Sequence, residues 1–153
     1  MEYKDWSYEG IDFQPEKFCE KVLAELECDF VGLALQNSDG PDIKWHYAAG
    51  NCNNKYMRIT VRYGKGIAGK VIATGRPMAV GGFPHHISDK PLEYPIMLAE
   101  KLMTAFAVPI HFNGLPKGVL LVGKRTNQPF SNSEQNAVLN AMKCLEEKID
   151  RGK

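Results

Sequence analysis

One stretch of the chain places backbone groups, rather than side chains, where they could do chemistry: Tyr63-Gly64-Lys65-Gly66-Ile67-Ala68-Gly69-Lys70. Glycines punctuate it, and Ile67, Val71 and Ile72 have helical spacing, so the run reads as a loop entering a helix. The first N–H groups of a helix lack carbonyl partners and lie at the positive end of its dipole. The run has no Ser or Thr to cap them, which leaves Gly64 or Gly66 to take that place. Two outcomes are open: the glycines only make a tight turn whose amides meet water, or the amides meet an anion.

Other residue types offer less. Trp45 falls on a predicted strand, Asp42 to Ala49, in which Ile43, Trp45 and Tyr47 alternate with Lys44 and His46. That pattern puts Trp45 on a buried face and His46 on a solvated one. A buried indole N–H wants an acceptor, either a backbone carbonyl or a ligand. His85, His86 and Asp89 share a loop, but adjacent histidines seldom aim at one ion and no third nitrogen or thiolate has suitable spacing, so no metal site is predicted. No Ser-His-Asp or paired-carboxylate grouping points to hydrolysis, and no catalytic residue is assigned.

The cysteines, Cys19, Cys28, Cys52 and Cys144, contain no C-x-x-C pair and are expected to be reduced. Cys19 and Cys144 lie among apolar neighbours on predicted helices and read as core filler. Cys52, in the polar run Gly50 to Asn54, is the one candidate for reactivity.

The 153 residues suffice for one domain with a proper core, spanning the whole chain, and are too few for two. Nineteen basic and eighteen acidic residues give a net charge of +1, without the excess that nucleic-acid or anionic-membrane binding requires. No signal pattern opens the chain and no apolar run nears the roughly 20 residues of a membrane span, so a soluble, cytoplasmic protein is expected.

The positioning elements follow in order. The first dozen residues, with Tyr3, Trp6 and Tyr8, have no period and are expected across the surface or loosely held. An amphipathic helix is predicted from Pro15 to about Cys28, with Phe18, Cys19, Val22, Leu23 and Leu26 on one face. A strand, Phe30 to Leu35, ends in a turn and returns through Asp42 to Ala49. A short helix or irregular segment (Tyr56 to Val61) leads to the glycine loop, and a second helix runs from about Gly66 to Thr74, stopped by Gly75. Then come a short edge strand (Arg76 to Val80), a long loop (Gly81 to Pro91), and a helix entered through Pro95 with Met97, Leu98 and Leu102 inward.

The strand Thr104 to Phe112 contains Pro109, which implies a bulge or an edge. Asn113-Gly114 signals a hairpin, lengthened by Leu115-Pro116. Its partner, Gly118 to Gly123, is nearly all apolar and therefore central. Ser131 and Glu134 form a capping box before a long helix with the stripe Val138, Ala141, Met142, Leu145 and Ile149, which is either core or half of a homodimer bundle.

This order, with the phrases Gly64 to Val71, Thr74-Gly75-Arg76-Pro77, Ala107 to Ile110, Gly118-Val119-Leu120 and Phe130-Ser131, resembles a GAF domain over nearly the whole chain. The resemblance implies an α+β fold: a central antiparallel sheet, the N- and C-terminal helices on one face and a ligand pocket on the other, lidded by the glycine loop and by Gly81 to Leu102. Within the family, Trp45, Ile67-Ala68 and Tyr94-Pro95-Ile96 resemble the nitrate receptors, stand-alone domains that modulate an oxygen-sensing sensor histidine kinase of a two-component system. That implies a non-enzymatic sensor with nitrate as ligand and no cofactor.

The chemistry is compatible. Nitrate is a flat, weakly hydrated monoanion that oriented N–H groups in an apolar cavity can hold. The amides of Ile67 and Ala68 and the Trp45 indole would donate, Ile67, Ile96 and Val61 would wall the pocket, and Tyr94 would form a rim or donate. Arg62 and Lys65 are expected to face solvent. Alternatives are a GAF enzyme resembling free methionine-(R)-sulfoxide reductases through Cys52, a module for another small ligand, or a dimerisation module.

Overall fold

The computed structural model describes residues 14–87 and 90–151; the expectation for the first dozen residues, and Asp89, lie outside them. Six strands form one antiparallel sheet: β1 (Phe30–Gln36), β2 (Ile43–Ala49), β3 (Thr60–Val61), β4 (Met78–Val80), β5 (Thr104–Phe112) and β6 (Leu115–Lys124), in the order β3-β2-β1-β6-β5-β4. The helices are α1 (Pro15–Glu25), α2 (Gly66–Thr74), α3 (Pro95–Glu100) and α4 (Asn132–Arg151), with 3-10 turns at Lys55–Arg58 and Pro91–Glu93. This is the expected α+β architecture.

Alternation along the three central strands builds two cores, one per face. Val31, Leu33 and Leu35 of β1, Phe106, Val108 and Ile110 of β5, and Leu120 and Val122 of β6 pack under α1 and α4, against Cys19, Val22, Val138, Met142, Leu145 and Ile149. The intervening residues, Phe30, Ala34, Ala105, Ala107, Val119 and Leu121, face the other way and pack with Trp45, α2 and α3. The strands are apolar throughout because neither face meets water. Each fully buried Leu, Ile, Val or Phe contributes about 1.5–3 kcal/mol relative to exposure.

Several boundaries and faces differ from the sequence pattern. Helix α1 stops at Glu25 because Leu26 leaves helical geometry and Glu27 takes φ 49°. In β2, Tyr47 pairs with Leu33 and Trp45 with Ala34, so His46 is an extra residue in a β-bulge. The bulge reverses the alternation: Trp45 joins one core while Tyr47 packs against the other, and His46 is half-buried rather than solvated. Leu98, expected inward, is 41% exposed on the outer side of α3. Cys144, expected in the core, is exposed, whereas Cys19 is buried.

The hairpin is also tighter than expected. Phe112 pairs with Leu115, leaving only Asn113 and Gly114 in the turn, at φ 54° and 81°. Pro109 lies beyond the reach of β4, which pairs only with residues 105–107. A proline there has no ladder hydrogen bond to lose.

The capping box is formed as expected. The Ser131 N–H donates to Glu134 Oε1 (2.8 Å), and the Glu134 N–H donates to Ser131 Oγ (3.1 Å). Lys124 Nζ adds an ion pair to Glu134 at 3.2 Å. The Ser131 backbone bond, ahead of Lys124, holds the Glu134 carboxyl below its ordinary value. A lowered folded-state pKa gives stability that is present above the unfolded carboxylate range and lost as pH falls through the folded value. Ser131→Ala is therefore expected to cost about 1 kcal/mol at neutral pH, read from urea denaturation. Glu134→Gln should flatten the acid limb of the stability profile.

Candidate functional site

The glycine loop reaches α2 under tight constraints. Lys65, extended at φ −116° and ψ 149°, takes the cap position expected of a glycine, and its side chain makes no capping hydrogen bond. Gly66 follows at φ 64°, a conformation other residues rarely adopt. The Gly64 N–H donates to the Gly69 carbonyl (3.0 Å), and the Lys65 N–H to that of Arg62 (2.9 Å). A Cβ at Gly69 would lie 2.2 Å from the Arg62 oxygen, so only glycine lets the loop fold onto the helix here. Gly75, at φ 67°, ends α2 as expected.

The result is a helix start pressed into the apolar core with its amides unfilled. Ile67 and Ala68 are each 2% exposed, and no acceptor among the described residues takes either N–H. Buried N–H groups without a partner are rare in folded proteins, because each forfeits its hydration.

Trp45 reaches the same core from β2. A Cβ at Gly32 would lie 3.1 Å from Trp45 Cε3, so that glycine clears the space over which the indole packs. The residue is 1% exposed, and its Nε1–H has no hydrogen-bond acceptor among the described residues. Of the two sources of an acceptor open from sequence, the backbone carbonyl is not used.

The segment beyond β4 closes over these groups. The Glu93 carbonyl lies 3.1 Å from where a Gly66 Cβ would be, placing the end of the Pro91–Glu93 turn against the start of α2. Tyr94, expected as a rim or a donor, is buried. Its ring stacks on Phe83 at 6.0 Å between centroids, and its hydroxyl accepts from Lys70 Nζ at 3.4 Å. Ile96 and Met97 are buried in the cluster, Val61 packs against it half-buried, and half-buried Pro95 opens α3. Arg62 and Lys65 are exposed, as expected.

All the predicted residues thus meet in or beside one buried apolar layer. Lys70 and Phe83 were not anticipated. Lys70 stands one turn beyond Ile67, a spacing that could have marked it as sharing that helix face, and its ammonium is 5.4 Å from the Tyr94 ring centre. Phe83 sits in an irregular loop without periodicity to place it.

The remaining features lie elsewhere. An open groove of ≈ 560 Å3 runs between α1 and α4, on the opposite face of the sheet, and shares no residue with the Trp45 layer. Cys52 is exposed; its N–H donates to Glu100 Oε1 (2.8 Å) and its Sγ lies 3.7 Å from the Glu100 carbonyl. Burial pushes the Cys19 and Cys28 thiols up to about 12 and about 11, which keeps them protonated and unreactive. His85 and His86 are exposed. Among the described residues, no helix is long and apolar enough to cross a membrane.

Comparison with known proteins agrees with this architecture. The sequence profile of the GAF domain matches residues 16–142. No curated protein matches the chain in sequence. Among solved structures, an NreA protein from Staphylococcus aureus mutated in its nitrate-binding site is 34% identical, with a TM-score of 0.70, covering 76% of this chain and 87% of that one. A hypothetical protein from the same organism is 36% identical, with a TM-score of 0.68 over 74% of this chain and 94% of that one. A free methionine-R-sulfoxide reductase from Neisseria meningitidis is only 18% identical at a TM-score of 0.74, covering 90% of this chain and 76% of that one, and shares the fold alone. With the profile spanning most of its length and the order of strands and helices in place, the chain belongs to the GAF domain family and, within it, resembles staphylococcal NreA.

Proposed function

We propose that the chain is a nitrate receptor without catalytic activity, and that nitrate occupancy changes its affinity for a sensor histidine kinase. The observation that carries this reading is the set of three unfilled N–H donors, Ile67 N, Ala68 N and Trp45 Nε1, in one apolar layer. Donors of this kind suit an anion that is cheap to desolvate. A helix N-terminus stabilises a partly buried negative charge by up to ~2 kcal/mol. Lys70, half-buried beside Tyr94, adds one positive charge, which matches a monoanion better than phosphate, for which bidentate arginine is usual. The likeness to NreA at 34% identity supports the same ligand. An enzymatic reading through Cys52 has less support: its thiol is turned to the Glu100 carbonyl at 3.7 Å, and Cys19 and Cys28 are buried in the helix-side core.

Ligand-dependent melting tests the proposal. At one hundred times its dissociation constant, nitrate should stabilise the fold by about 2.7 kcal/mol, raising Tm by about 5–10 °C. Chloride and sulfate at matched ionic strength should do much less. Equal shifts for all three anions would end the reading. Coupling to a kinase is reciprocal, so kinase retained by the immobilised protein should change with nitrate by the factor that kinase changes nitrate affinity.

A further inference from the structure

We propose, resting on the receptor reading above, that the outer surface of the segments packed over the Trp45 layer docks the sensor histidine kinase, through a kinase surface apolar at its centre and acidic around it. Among the described residues five large apolar side chains are exposed. Four of them, Met57, Tyr63, Leu92 and Leu98, lie on those segments, whose neighbouring residues Tyr56, Val61, Tyr94 and Met97 pack in or against the layer. Leu92 is 83% exposed and adds nothing to the core. Exposed apolar side chains concentrated on one part of a surface mark a contact site. Each of the four is flanked by exposed basic residues: Lys55 and Arg58 around Met57, Arg62 and Lys65 around Tyr63, Lys90 before Leu92, and Lys101 after Leu98. The acids on these segments are exposed Glu93 and buried Glu100, which Arg125 already holds. With 19 basic and 18 acidic residues in the whole chain, this basic excess is local and calls for an acidic partner.

The segments adjoin one another and the anion donors. Asn53 Nδ2 donates to the Ala99 carbonyl (3.4 Å) and the Cys52 N–H to Glu100, which ties the chain entering the Lys55–Arg58 turn to α3. The Pro91–Glu93 turn leads through Tyr94 into α3, and its Glu93 carbonyl lies against Gly66 at the start of α2. Tyr63 stands in the loop before that glycine, where the Lys65 N–H donates to the Arg62 carbonyl. An anion on the Ile67 and Ala68 amides therefore binds at the helix start on which the Pro91–Glu93 turn is seated. Occupancy of the site and docking on the turn act on the same contact, and each changes the other by the same factor. Tyr, Met and Arg are enriched at protein interfaces, and a charged rim orients the encounter. A second copy of the chain is a poorer occupant, because a two-fold contact sets this basic rim against itself.

The probes are the sensor histidine kinases of the source cell, each purified with its input domains, and the readout is their retention by the immobilised full chain with and without nitrate. Leu92→Glu and Arg58→Glu change exposed residues outside the anion site. Each should lower kinase retention by roughly tenfold or more, the loss expected at a central contact, while nitrate affinity by isothermal titration stays unchanged. Leu115→Glu alters the fifth exposed apolar residue, on the hairpin whose Pro116 lies by Gly75 at the far end of α2, and should retain kinase as the parent does. Retention by the parent should also fall as salt screens the basic rim. Kinase retention that survives both L92E and R58E, or that L115E lowers as much, would overturn the proposal and leave the receptor reading standing. A parent chain that retains none of the kinases in either state would overturn both. Capture by phosphatidylglycerol vesicles that L92E abolishes, with kinase retention unchanged, would overturn the proposal in favour of a membrane surface.

Discussion

Arg125→Met is expected to lower the unfolding free energy by about 3 kcal/mol, the lower end of the cost of removing one partner of a buried ion pair. Glu100, the last residue of α3, is fully buried, and Arg125 is about one-third exposed, which places the loss at that lower end. Glu100 Oε1 accepts from Arg125 Nη2 (2.8 Å) and from the Cys52 N–H (2.8 Å). Its Oε2 is buried without a hydrogen-bond partner, so the guanidinium is the carboxylate's one ionic partner among the described residues. Arg125 also donates to the carbonyls of Glu100 (2.9 Å), Gly50 (2.9 Å) and Asp29 (3.2 Å). It therefore ties α3 to the residue before β1 and the turn after β2. Urea denaturation with an unchanged m-value is the measurement. R125M combined with Glu100→Gln should cost less than the two changes summed, since the buried charge is then gone. A loss below about 1 kcal/mol for R125M alone would show that the guanidinium does not hold the carboxylate. Because α3 carries Ile96 and directly follows Tyr94, nitrate affinity should fall in R125M as well.

Trp45→Phe carries the second large expectation, on ligand binding. Phenylalanine keeps an aromatic ring over Gly32 and removes only the indole donor, so the fold should persist while nitrate affinity drops. A hydrogen bond to a charged group contributes about 1.5–3 kcal/mol, equivalent to roughly 10- to 100-fold in dissociation constant. Isothermal titration with nitrate, alongside circular dichroism to check the fold, reads both properties. Unchanged affinity would remove the indole from the ligand set and leave the amides of Ile67 and Ala68 to be judged separately.

Much of the candidate site was legible in the sequence because local rules govern it. Glycines at Gly64, Gly66, Gly69 and Gly75 announced both ends of α2, and its observed bounds match the expected Gly66 to Thr74. The Ser131–Glu134 box marked the start of α4 in the same way. In these cases a turn conformation or a missing capping partner is a property of a few neighbouring residues. Less legible were faces and long-range partners. The bulge at His46 arises from register between β1 and β2, and no alternation within Asp42 to Ala49 reveals it. Cys144 and Cys19 have similar neighbours along their helices, yet only Cys19 faces the sheet.

By itself, the sequence determined the GAF architecture, the near-neutral charge, the helix start with spare amides, and the residues around it. Its patterns and phrases run within single elements, and helix ends and alternating strands record their own geometry. Only the tertiary structure decided that those amides are buried without an acceptor among the described residues, that Trp45 packs over Gly32, and that Tyr94 is buried against Phe83 with its hydroxyl bonded to Lys70. The same holds for Arg125 and Glu100, 25 residues apart in the chain and 2.8 Å apart in space. Such pairings depend on which strands lie side by side and where each helix crosses the sheet, and residues distant in sequence carry no local signal of meeting.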